Sequence, residues 1–236
     1  MTAAIYALLY GPHKVLHHRI LDSFKHVPKE VPLRVWFNDV PSATLSHWGK
    51  LVEGRNNFSV WDHHSNKPKY DAMRDMFANI KNGSFGEEWV IWFDDDSHIV
   101  DPDWWAKSCE WIASKPDMCY TGQEWFIHWR GGQDKFIRQA SWHKGVASEL
   151  IKQRPAIRFA QGAYWWIKAD LIRQLNWPDP RLHHNGGDTL LGEAVRQQGL
   201  PFHKMPRHCF GVRVNDAQRR GMHEAPAGCA DKNTRI

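Results

Sequence analysis

The sequence predicts an α/β domain with a mostly parallel central sheet, flanking helices and ligands at the carboxyl ends of the strands. Three observations carry this. Short apolar runs rich in aromatic and β-branched residues recur through the first hundred positions, segments with helical spacing separate them, and several runs stop at glycine, asparagine or aspartate. Strands that alternate with helices in this way build parallel sheets, whose ligands sit in the crevice outside the strand ends.

Residues 4–10 form the first strand, and Gly11-Pro12 breaks it before a helical stretch over 14–24. Residues 33–37 form a second strand ending at Asn38-Asp39, with a helix expected around 43–51. A short third strand is expected at 58–61. Over 70–80, Met73, Phe77 and Ile80 stand at helical spacing. The run Trp89-Val90-Ile91-Trp92-Phe93 then has the length and composition of a buried strand. The lysines and histidines between Trp61 and Lys69 and the turn at Gly131-Gly132 are the irregular stretches. No internal repeat, low-complexity tract or clean linker divides the chain.

At 236 residues, 42% hydrophobic and 24% charged, the chain suits one globular domain with a sizeable core. Its first ten residues lack a basic leader and run directly into strand-like sequence, so they are expected to be structural and not a signal peptide. No apolar stretch approaches the roughly 20 residues of a membrane span. Cys109, Cys119, Cys209 and Cys229 have no C-x-x-C spacing, which favours reduced thiols and a cytoplasmic location. No obligate protein partner follows from the sequence. The net charge of +5 permits a polyanionic partner without requiring one. Most of the 14 tryptophans must be core, leaving some to stack on a sugar or a base.

The chemistry is concentrated at Asp94-Asp95-Asp96, directly after the apolar run. Three adjacent carboxylates repel one another and are costly to desolvate. A divalent cation relieves both problems, binding hard oxygen ligands while keeping positions for substrate phosphates. The alternative is a solvated acidic turn in which Asp96 or Ser97 caps a following helix. The strand context favours the metal.

An apolar strand ending in Asp-x-Asp resembles the metal and nucleotide-sugar motif of the GT-A glycosyltransferases, and the resemblance, closest to their family-two-like group, covers most of the chain. It implies a single GT-A-like domain, with a nucleotide-sugar-binding half at 1–100, an acceptor-side half at 101–205 and a metal and lid segment at 206–236. On this resemblance Asp94 and Asp96 hold Mn2+ or Mg2+ together with His208, or alternatively His223, while Asp95 binds ribose or the donor sugar. Asp39 takes the base or ribose role, an Asx turn being the other reading. Lys69 or Arg74 faces the diphosphate, unless either is ordinary surface charge. Gly162, in a strand-like stretch over 159–172, lets the backbone approach the donor sugar. Trp165 and Trp166 point to opposite faces of that strand, so at most one lines an acceptor pocket.

Further on, Asn185-Gly186-Gly187-Asp188 resembles the segment that opens the acceptor-side helix. The family usually has Glu-Asp there. Here Gly187 replaces the glutamate and leaves Asp188 as the candidate general base, or else as the N-cap of a helix whose apolar positions are Leu191 and Val195. Arg219 and Arg220 suit a closing lid over the departing diphosphate. The paired histidines His17-His18, His63-His64 and His183-His184 lack zinc-site companions and are assigned no metal.

The implied reaction is metal-dependent transfer of a hexosyl group from a nucleotide sugar, a UDP-sugar first, to a hydroxyl. A single base opposite the leaving group inverts the anomeric centre, and a retaining outcome stays open. A small, basic, tryptophan-rich chain of this kind resembles bacteriophage DNA-modifying glycosyltransferases, which implies a 5-hydroxymethyl pyrimidine in DNA as acceptor and the host cytoplasm as location. A bacterial surface glycan is the alternative acceptor. From another class, a metal-dependent nuclease or phosphotransferase would need further acidic ligands, for which Asp62, Asp71 and Asp188 are the scattered candidates.

Overall fold

The apolar runs become the centre of a seven-stranded sheet in the computed structural model, which describes residues 1–64, 67–95, 97–128, 136–145, 156–183, 186–206 and 212–214. In chain order the described elements are β1 (Ala3–Tyr10), α1 (Lys14–Ser23), a single 3-10 turn (Phe24–His26), β2 (Leu33–Asn38), α2 (Ser42–Val52), β3 (Phe58–His63), α3 (Lys69–Lys81) and β4 (Trp89–Phe93). There follow β5 (Ser97–Ile99), α4 (Trp104–Ala113), β6 (Tyr120–His128), β7 (Ala156–Lys168), α5 (Ala169–Leu175), α6 (Gly187–Gln197), β8 (His203–Lys204) and β9 (Val212–Val214).

The sheet order is β3-β2-β1-β4-β7-β6-β8. Strands β3, β2, β1 and β4 are mutually parallel, as β8 is to β6, and β7 runs against both of its neighbours. The chain steps outward from β1 to β2 and β3, then returns to place β4 on the other side of β1. That reversal opens a crevice at the carboxyl ends of β1 and β4, the usual place for a ligand in such a sheet. Strands β2 and β4 are buried at every residue because helices cover both faces, hence their unbroken apolar runs. Helices α3, α5 and α6 pack one face through Met73, Phe77, Ile172 and Leu191, and α1, α2 and α4 pack the other through Leu21, Trp48 and Trp104.

The long strand β7 outreaches β4. Phe93 pairs with Tyr164, the Asp94 amide bonds the Ala163 carbonyl at 2.9 Å, and β4 ends there. The first half of β7 continues past that edge paired with β6 alone, matching Glu124 to Ala160, Trp125 to Phe159 and Phe126 to Arg158. A register shift between Gly122 and Glu124 lets the two strands leave the sheet together. The outcome is a two-stranded ribbon that extends past the carboxyl end of β4.

Two sequence expectations are corrected. The strand-like stretch over 159–172 stops at Lys168, where α5 takes over. The capping alternative for the triple aspartate also falls, because Ser97 opens β5 and the next helix starts only at Trp104. Strand β5 pairs with β9, Ser97 opposite Val214 and Ile99 opposite Val212. Among the described residues no helix is long and apolar enough to cross a membrane, and Cys109 and Cys119 are free thiols.

Candidate active site

The parallel strands deliver their last residues to one edge: Asn38-Asp39 from β2, His63 from β3, and Asp94-Asp95 from β4. Asn38 is buried and its amide clamps the chain leading into α3, with Oδ1 accepting from the Lys67 amide at 2.8 Å and Nδ2 donating to the Lys67 carbonyl at 2.7 Å. This clamp fixes where α3 begins. Asp39 follows in the left-handed conformation (φ 57°), exposed, its amide donating to the His63 carbonyl at 2.9 Å.

Lys69 is the first residue of α3 and turns its ammonium onto the Asp94 carboxylate as an ion pair. Burial alone would lower the Lys69 pKa, but Asp94, then Tyr70 and Asp188, override it and hold the group above the ordinary lysine value. Asp188 joins it from the first turn of α6. A β-carbon built on Gly162 would lie 3.5 Å from Asp188 Oδ2 and 3.6 Å from Lys69 Nζ, so both side chains end against that glycine. Burial raises the Asp188 pKa, partly offset by Lys69 and by the Thr189 and Gly162 amides that donate to it, while nearby Asp94 raises it further. A small cavity with about 10 Å³ of room for a water's centre lies among Lys69, Tyr70, Gly162, Trp165, Trp177 and Asp188. That is roughly space for one water.

The departure from the Glu-Asp pattern has a steric cause. A β-carbon at Gly187 would lie 2.1 Å from Cζ of Tyr70 and 2.2 Å from its hydroxyl oxygen, so no side chain fits there. The Gly187 amide donates to that hydroxyl. Tyr70 therefore fills the place of the expected acidic side chain and anchors the start of α6; the sequence reading missed it because it is one more apolar position at helical spacing. The capping alternative for Asp188 is also corrected. Gly186 (φ 81°) is the N-cap, and Asp188 lies inside the first turn.

Lys69, Asp94, Gly162 and Asp188 are thus gathered at one place, with Asp95 in the adjoining turn and Asp39 on the same sheet edge. Arg74 is not. Its guanidinium pairs with Asp71 and donates to the carbonyls of Asp179 (3.2 Å) and Leu182 (2.9 Å), tying down the loop that precedes α6. The aromatic pair splits as the alternation requires. Trp165 lines the small cavity and stacks on Trp92 with centroids 5.8 Å apart, whereas Trp166 is wholly buried against Trp89 and Trp105 and cannot meet an acceptor. The wider expectation of spare tryptophans narrows sharply: among the described residues Trp125 is the exposed one. Asp96, His208, Arg219, Arg220 and His223 lie outside the described residues.

Asp94 is a hard carboxylate of the kind a divalent cation takes, here 18% exposed and paired with Lys69. Among the described residues no group of three His, Cys, Asp or Glu side chains gathers. A two-ion site finds no support from Asp71, which is spent on Arg74.

The sheet and its flanking helices have the α/β architecture of solved GT-A-type glycosyltransferases, a likeness of fold. A mannosyltransferase from Pyrobaculum calidifontis, solved with GDP-Man and Mn2+, is similar over 87% of this chain and 55% of its own, with a TM-score of 0.59 and 13% identity. Residues 1–349 of S. aureus TarS give a TM-score of 0.59 at 12% identity over 91% of this chain and 61% of that one. GalNAc-T7 with UDP, GalNAc and Mn2+ gives 0.62 at 14% identity over 90% and 43%. The chain thus spans about half the length of these structures. No protein-family description and no curated protein sequence matches it.

Proposed function

We propose that the protein is a glycosyltransferase that moves a hexosyl group from a nucleotide sugar, UDP-linked, to a hydroxyl acceptor. The observation that carries this reading is the convergence of Asp94, Lys69, Gly162 and Asp188 at the carboxyl edge of a GT-A-type sheet. Asp39 binds the base or ribose, Asp95 the ribose or the donor sugar, Lys69 faces the diphosphate, and Gly162 lets the donor sugar lie against the backbone. Asp188 accepts the proton of the attacking hydroxyl, and its burial makes its carboxylate a stronger base than a solvated aspartate.

A divalent ion, Mn2+ or Mg2+, fits beside these residues, held by Asp94 and Asp96 with one histidine; when bound it supplies charge stabilisation to the leaving diphosphate. That histidine is His208, or alternatively His223. Arg219 and Arg220 are assigned to the leaving group.

For the acceptor we propose a 5-hydroxymethyl pyrimidine in DNA, reached in the cytoplasm of a host cell. The net charge of +5 supports a polyanionic acceptor. The test is mass spectrometry of nucleosides after incubation of hydroxymethylated and unmodified duplexes with UDP-sugars and manganese. Sugar is expected on the hydroxymethylated duplex alone. Transfer to a surface glycan with no transfer to any hydroxymethylated duplex would replace the DNA reading and leave the donor chemistry standing.

A further inference from the structure

The small cavity beside Gly162, with about 10 Å³ of room for a water's centre, has polar walls in Lys69, Tyr70, Trp177 and Asp188 and apolar walls in Met73 and Leu191. Lys69 is committed to Asp94. The other three polar groups keep hydrogen-bonding capacity to spare. The Asp188 carboxylate accepts from the Thr189 amide at 3.0 Å and from the Gly162 amide, about half of what two carboxylate oxygens can take. The Tyr70 hydroxyl accepts from the Gly187 amide and still has its own proton to give. Trp177 is 1% exposed, and its indole Nε1–H is buried with no hydrogen-bond partner. A buried indole N–H ordinarily finds one. Among the described residues five tryptophans carry such an N–H, and of these Trp177 is the one that lines this cavity.

Both donors stand on fixed supports. Trp177 lies just past α5, its amide donates to the Ile172 carbonyl at 3.0 Å, and its ring stands edge-on to Tyr70 with centroids 6.5 Å apart. The Tyr70 amide donates to the His183 carbonyl at 3.0 Å, and its buried ring abuts Gly187. Two rigid donors and a carboxylate therefore border a space of one-water size. A water placed there accepts from Trp177 and Tyr70 and donates to Asp188, within the usual complement of two to four bonds for a buried water.

We propose that this cavity is a binding site for one structural water, and that Trp177, acting through that water, is a positioning residue for Asp188. The role rests on the reading of Asp188 as the general base. A water-bridged hydrogen bond is nearly as favourable as a direct one, so the bridge ties the carboxylate to Trp177 and Tyr70 from its buried side. Asp188 is only partly buried, which leaves it exposed surface from which to take the acceptor's proton. Aim matters here, because a general base must lie within hydrogen-bond reach of the proton it abstracts. Trp177 touches no substrate; it keeps the base in place.

The experiment joins crystallography to kinetics. A high-resolution crystal structure of wild type is expected to show an ordered water within hydrogen-bond distance of both Trp177 Nε1 and the Asp188 carboxylate. Trp177→Phe removes the N–H, and the water should be lost or shifted away from Asp188. In that variant kcat should fall about 10-fold, the scale of a lost hydrogen bond to a charged group, with KM for the nucleotide sugar unchanged. A packing role alone would lower the melting temperature without separating kcat from KM. Phenylalanine leaves space where the indole stood. The comparison is therefore repeated with 3-benzothienylalanine at position 177, which keeps the indole's shape with sulfur in place of the N–H and also serves if Trp177→Phe fails to fold. No ordered water beside Asp188 in wild type overturns the site. A water in place together with wild-type kcat in both variants overturns the positioning role. If Asp188→Asn turns over like wild type, the base reading fails and the positioning role with it, while the crystal structure still decides the water site.

Discussion

Lys69 and Asp94 form an ion pair between the first residue of α3 and the residue that follows β4, with their side chains only 20% and 18% exposed. The triple aspartate alone suggests that removing one carboxylate should relieve repulsion. The pair reverses that expectation for Asp94, whose charge is already balanced.

Asp94→Ala should therefore lower the melting temperature of the metal-free protein. It strands a largely buried ammonium, at a cost on the order of 1–3 kcal/mol, below the full penalty of a wholly buried broken pair. The same variant should lose the stabilisation that manganese and UDP-sugar give wild type. Thermal melts with and without both ligands check the two statements together. A ligand-induced shift that survives in both Asp94→Ala and Asp96→Ala would sink the metal assignment.

Asp188→Asn keeps the side chain's size and removes the base. Turnover should fall by about two orders of magnitude or more, the usual scale of general-base assistance, with donor affinity close to wild type. Steady-state kinetics with saturating donor separate the two. Turnover like that of wild type would leave Asp188 with a structural role only.

The same residue sets a pH dependence. Burial raises the folded-state pKa of Asp188 above that of the unfolded chain, and the base must be deprotonated to act. Activity should thus fall on acidification through a pKa above the ordinary aspartate value of about 3.9. For stability the sign is opposite. A raised carboxylate pKa favours the folded state below the unfolded pKa, and that contribution is lost as pH rises through the folded pKa. Asp188→Asn should therefore melt higher than wild type at neutral pH, with the gap closing in acid.

What the sequence reveals and hides follows from burial. Strands β1, β2 and β4 are legible because two covered faces demand unbroken apolar runs, and Asp94 stands out because carboxylates at such an end are costly. Strand β6 is hidden by Gly122, Gln123 and Glu124, which break the apolar pattern where the ribbon leaves the sheet. Helix α4 is hidden by Trp104 and Trp105, which suit a strand equally well. Gly162 and Asp188 are legible by resemblance, whereas the pairing of Lys69 with Asp94 joins residues 25 apart and has no local signature. Arg74 shows the reverse error: a basic residue near a site in sequence turns away because two carbonyls and Asp71 meet it first.

The two site glycines give the sharpest contrast. At Gly187 a β-carbon would fall 2.1–2.5 Å from the Tyr70 ring, which is buried and cannot retreat. Gly187→Ala must displace either Tyr70 or the first turn of α6, and with it Asp188. It should cost about 1–3 kcal/mol, the usual range for forced overpacking, and reduce turnover together with stability. At Gly162 the nearest atoms to an added β-carbon are 3.5 Å away, ordinary contact, and they belong to Asp188 and Lys69. Gly162→Ala should leave the melt within a degree or two of wild type, roughly the scale of a neutral substitution. The added methyl group stands where the donor sugar is proposed to lie, so kcat/KM should drop by at least about 10-fold with the fold intact. Melts and donor-saturation kinetics on both variants decide the matter. If Gly162→Ala turned over like wild type, the backbone there would not be a donor contact.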